Sequence, residues 1–92
     1  MSPPVRDILE QQVFIGGAHR TFGSLSAADA RAHADALRAA VGWAPTARVA
    51  PVAQAWRELS LAMDRAGAGV VADLEPDVIG ELAPRLWVTL PG

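Results

Sequence analysis

The two histidines of this chain each stand near a group with which an imidazole can do chemistry. His19 precedes Arg20 inside the glycine-flanked run GGAHRTFG, residues 16–23. The pair reads as a general base with an anion-binding neighbour. The run has neither GxGxxG spacing nor a Gly-Lys-Ser/Thr ending, so it lacks the pattern of a phosphate cradle. A polar surface loop is the plainer account. His33 lies four residues after Asp29 and two before Asp35. On a helix, Asp29 and His33 share a face at this spacing, as two metal ligands or as a carboxylate–imidazole pair. A metal site generally takes three or four ligands, and His19 would have to join from the loop. An ion pair on the helix surface or an imidazole at the core edge asks for less. No metal and no cofactor is expected, and His19, Arg20 and His33 stand as the ligand-binding candidates.

Asp73, Glu75, Asp77 and Glu81 gather in the last quarter of the chain. An acid/base pair would need two of them in one cleft with separated pKa values. Their place at the start of a helix makes dipole complementation and solubility the simpler role. Ser24, Ser26 and Thr46 read as helix caps rather than nucleophiles, and no catalytic residue is assigned. Trp43, Trp56 and Trp87 are large for a chain otherwise rich in small side chains. Trp56 falls mid-stripe on a helix and belongs to the core. Trp43 and Trp87 are the candidates for an interaction surface, where tryptophan is enriched.

The elements that must carry these residues follow from spacing. Nineteen alanines stand among 92 residues, eight of them between positions 27 and 40. Ser26 caps this stretch, with Asp29 as its capping-box partner, and Gly42 is placed to end it with Trp43 folding back on the last turn. Ala30, Ala34, Leu37 and Val41 line one face, and Arg31 with Asp35 makes an exposed i,i+4 pair. The resulting helix over 26–41 is slim and lets a second helix come close. That second helix, over 51–66, carries the stripe Val52, Trp56, Leu59, Met63 and Ala66 and stops at Gly67. It starts either at Pro51, where a missing N–H costs least, or at Thr46 with Pro51 in its second turn.

Two further helices are expected, over 3–12 with Val5, Ile8 and Leu9 inward, and over 76–83, where Pro76 opens the helix and Pro84 ends or kinks it, although Leu82, Leu86 and Leu90 also fit a continued helical face. The reading is an all-α single domain, a three- or four-helix bundle built on an antiparallel hairpin. Residues 13–15 and 86–90 leave an alternative open. Both have strand-like composition, and their pairing would give an α+β fold with a minimal two-stranded sheet.

Composition bounds function. The chain has no cysteine, which excludes disulfides, thiolate chemistry and cysteine-containing zinc sites. No apolar run approaches a membrane span. The opening MSPPVRDILEQQ has prolines and charge where a signal peptide needs an apolar core, so the cytoplasm is the expected compartment. All eight basic residues are arginine, and with the alanine excess this points to GC-rich bacterial coding. The arginines are spread from Arg6 to Arg85 under a net charge of −2. No concentrated basic face for nucleic acid results, and helix 51–66 opens without Arg or Asn to meet base edges. Half of the residues are apolar, more than a small domain buries. The expected function is a non-enzymatic interaction module, self-associating as a homodimer or binding another protein. A small-ligand protein with a pocket between helices is the alternative, and a DNA-associated regulator is disfavoured.

Overall fold

A computed structural model of the chain describes residues 4–39 and 46–86. It is mostly helical, with one small antiparallel sheet: α1 (Val5–Glu10), β1 (Gln12–Ile15), β2 (Ala18–Thr21), α2 (Ala27–Ala39), α3 (Thr46–Ala66) and α4 (Pro76–Leu86). Single 3-10 turns at Phe22–Ser24 and Val71–Asp73 join β2 to α2 and α3 to α4. The α+β alternative therefore replaces the all-α reading, although the sheet has a different second strand from the one expected.

The expected partner of residues 13–15 was 86–90. Instead β1 turns back on residues that read as loop, with Val13 opposite Arg20 and Phe14 opposite His19. The cause is local. Gly16 and Gly17 adopt φ of 64° and 81°, and two successive positive-φ residues form the tight turn whose twist suits a hairpin. Closing that loop costs far less chain entropy than bringing in a strand some seventy positions away, a difference that grows with loop length. Leu86 is the last residue of α4, and residues 87–90 lie outside the described residues. Strand β1 alternates as a half-buried strand should, with Val13 and Ile15 inward and Gln12 and Phe14 outward.

The helices shift at their ends. The first begins at Val5 and stops at Glu10, where Gln11 turns extended and feeds β1. Ile8 is buried there, with Val5 and Leu9 packed against the core. The Ser26 cap of α2 is formed as expected: the Asp29 N–H donates to Ser26 Oγ at 3.1 Å, and the Ser26 N–H donates to Asp29 Oδ2 at 3.0 Å. This is the reciprocal capping box, with aspartate in place of the usual glutamate. Gly42, the expected stop of α2, lies outside the described residues. Helix α3 starts at Thr46, five residues before Pro51, so the proline sits inside the helix. It ends at Gly67 with φ of 67°. There the Ala68 N–H donates to the Met63 carbonyl at 2.9 Å and the Gly67 N–H to the Asp64 carbonyl at 3.3 Å, the bond pair of a Schellman stop.

Pro84 does not end α4, which runs three residues past 83 to Leu86. Proline removes a donor and crowds the preceding turn, but here it lies on the exposed side. Tertiary contacts hold the last turn. The Trp56 indole N–H donates to the Leu86 carbonyl at 3.0 Å, and Arg85 bonds Glu58. Burial of Leu86 adds to them.

The most extensive packing is α2 against α3. The helices run antiparallel, since Arg31 bonds Asp64 and Arg38 bonds Gln54. Arg31 thus reaches across to α3 at 2.9 Å and not along its own helix to Asp35. Ala30 and Ala34 are buried on α2, and Val52, Trp56, Leu59 and Met63 on α3. Leu37 is partly buried against the same core, whereas Ala66 is exposed. Ile79 and Leu82 of α4 and Val71 of the second 3-10 turn complete that core.

The capping box gives a direct test. Asp29→Ala removes the bond back to the Ser26 N–H and is expected to lower stability by about 1 kcal/mol. Arg20→Ala, which removes a partly exposed ion pair and a long bond to the Ser24 carbonyl, should cost less than that. Chemical denaturation of both variants checks the order.

Candidate functional site

Arg20 and Asp29 come together, but as structure. Arg20 projects from β2 towards the start of α2. Its Nη1 donates to Asp29 Oδ2 at 2.8 Å, and its Nη2 donates to the Ser24 carbonyl at 3.3 Å. The Asp29 carboxylate therefore accepts from both the Ser26 N–H and a guanidinium. The backbone hydrogen bond from Ser26 is the largest cause of its lowered pKa, with the Ser26 hydroxyl and Arg20 adding to it against the opposing effect of burial. This guanidinium staples the hairpin to α2.

His19 faces outward on β2, where its ring meets Phe14 edge-on at 5.1 Å between centroids. The two residues are directly opposite in the ladder, and such cross-strand aromatic pairs stabilise hairpins modestly. No acid or base stands against this imidazole among the described residues. His33 is half-buried on α2, its ring edge-on to Trp56 at 4.7 Å. Asp29, its expected i,i+4 partner, is turned to Ser26 and Arg20 instead. His33 thus takes the core-edge role, and burial pushes its pKa below the ordinary value. Among the described residues no group of three His, Asp or Glu side chains is placed to hold a metal ion.

Two grooves remain. The first, of about 240 Å³, lies where the hairpin meets α2, α3 and the end of α4. Phe14, Leu37, Val52, Trp56 and Leu86 wall it, and Gln12 and His33 supply its polar groups. The second, about 440 Å³, runs between α3 and α4. Leu61, Ala62, Val78 and Leu82 line it together with Glu58, Arg65, Glu81 and Arg85. No protein-family model matches this chain, and neither a curated protein nor a solved structure does. Function is therefore argued from these surfaces.

The remaining sequence candidates divide plainly. Trp56 is 1% exposed, a core residue. Trp43 and Trp87 lie outside the described residues. Asp73, Glu75, Asp77 and Glu81 are all exposed, and Asp77 sits in the first turn of α4, where its charge suits the dipole. The Glu75 carbonyl caps that helix by accepting from the Val78 and Ile79 N–H groups.

Two residues of these grooves were missed. Phe14 is 58% exposed and Leu61 41% exposed, the exposed large hydrophobics among the described residues. A signal for both was present. Phe14 alternates against Val13 and Ile15, and Leu61 lies two residues from Leu59, on the far side of the α3 stripe. Apolar residues out of phase with their element mark surface that water covers at a cost.

The His33 imidazole sets a pH dependence. A folded pKa below the unfolded value of 6.5 means that the unfolded chain binds the proton more readily. The stabilisation is complete above pH 6.5 and is lost as the pH falls through the folded pKa. Unfolding free energies on both sides of pH 6.5 should show this decline. In His33→Gln that part of the slope should vanish.

Proposed function

We propose that this chain is a non-enzymatic interaction module that self-associates. The observation that carries the reading is the pair Phe14 and Leu61, each standing out of phase with its element and each lining a groove. Burying a large apolar side chain contributes about 1.5–3 kcal/mol, so water-exposed residues of this size favour a partner over solvent. The excess of apolar residues over what a small domain buries points the same way. The groups suited to proton transfer serve the fold: Asp29 caps a helix and His33 edges the core.

Nucleic acid fits poorly as the partner. Arg20, Arg31 and Arg85 are held in ion pairs with Asp29, Asp64 and Glu58, and the remaining arginines form no run in the sequence. No helix among the described residues is long and apolar enough to cross a membrane.

A second reading has its own support. In the groove beside the hairpin, the side chains of His33 and Gln12 carry no hydrogen bond among the described residues. A neutral imidazole and an amide over apolar walls suit a small uncharged molecule with one or two hydrogen-bonding groups.

Sedimentation of the full chain at micromolar concentration separates the two. Self-association predicts a dimer that dissociates on dilution, and a monomer throughout would remove it. The ligand reading predicts that indole, used as a probe, shifts the His33 ring resonances, and unchanged resonances would remove that.

A further inference from the structure

The groove between α3 and α4 has a charge order that a second copy of the chain can read. The Trp56 indole bonded to the Leu86 carbonyl and Arg85 bonded to Glu58 set the end of α4 beside the middle of α3. Helix α4 therefore runs back antiparallel along α3. With equal rise per residue, Arg85 lies level with Glu58, Glu81 with Ala62, and Val78 with Arg65. The first of these pairs is closed by an ion pair. Arg65 and Glu81 line the same groove and have no ion pair among the described residues, and Leu61 stands exposed one helical turn before Arg65 on α3.

We infer that a second copy of this chain docks here, about a two-fold axis that runs along the groove. The inference rests on the self-association reading above and names its surface. A two-fold contact must be self-complementary. An axis along the groove lays each bank on the partner's opposite bank at the same height, so complementarity across the groove recurs between copies. Glu58 meets the partner's Arg85, Arg65 comes within one helical turn of the partner's Glu81, and Leu61 covers the partner's Leu82. The other simple arrangement sets α3 antiparallel on the partner's α3, with Leu61 at the axis. It would place Arg57 against the partner's Arg65, and neither guanidinium has an ion pair among the described residues. Like charges directly opposed are repulsive and disfavour a contact, so charge selects the first arrangement.

The test is sedimentation equilibrium of the full chain, the single variants Arg65→Glu and Glu81→Arg, and the double exchange. Both positions are exposed, and matching far-UV circular dichroism establishes that the fold is kept. Each single reversal should weaken the dimer about tenfold or more. The double exchange should return it to within about threefold of the original. A double variant as weak as the singles would overturn the two-fold arrangement. A dimer unmoved by either reversal and by Leu61→Asp would overturn this groove while leaving self-association in place. A monomer at every concentration would overturn both.

Discussion

The buried indole of Trp56 is the constraint on which the other elements depend. Its ring meets Phe22 edge-on at 5.9 Å and His33 at 4.7 Å. Its N–H donates to the carbonyl of Leu86. One side chain on α3 thus touches the turn after the hairpin, the middle of α2 and the end of α4. A buried indole donor left unpaired is costly, so the Leu86 carbonyl fixes how far α4 extends as well as where it lies. Alanine makes this possible on the opposing side. Ala30 and Ala34 are buried on α2, and side chains that small leave room for the large one on α3.

The potential chemistry of the sequence is largely absorbed by this frame. Arg20 reads in the sequence as the anion-binding neighbour of His19. In the fold it spends its guanidinium on Asp29 and Ser24. Asp29 in turn serves the start of α2 and is not available to His33. What that frame leaves at the surface are grooves with a phenylalanine and a leucine at their margins, the one between α3 and α4 also lined by charged side chains. Buried polar side-chain atoms among the described residues all have partners, so no strained polar group competes with these surfaces as a site.

Local, strongly periodic features were legible in the sequence. The Ser26–Asp29 box, the Gly67 stop and the stripe Val52, Trp56, Leu59, Met63, Ala66 each depend on residues within a few positions of one another, and each forms as read except for Ala66, which is exposed. Trp56 was legible as core for the same reason. Features decided by competition between near and far contacts were not. The apolar triplet at 13–15 had no periodicity to reveal its partner, and the Gly16–Gly17 turn resolved it in favour of the nearest residues. Pro84 was read through its own backbone penalty, which contacts from Trp56 and Glu58 outweigh. Arg31 was assigned to Asp35 because both lie on one helix, while Asp64 on the neighbouring helix takes it. Phe14 and Leu61 were present as phase errors, visible only once the faces of β1 and α3 are known.

The order of packing along the chain has a kinetic consequence. β1 pairs with β2, α2 packs on α3, and α3 packs on α4, so the largest contacts join successive elements. Each closes a short loop, and chains dominated by such near-neighbour contacts fold on the microsecond-to-millisecond scale. The long-range closures are fewer: α1 beside α4, and the Val71 N–H on the Leu25 carbonyl. These tie the hairpin and the final helix to the α2–α3 pair. Trp56 is fully covered only once α4 brings the Leu86 carbonyl to it, whereas the outward Phe14 and Leu61 stay exposed after folding is complete.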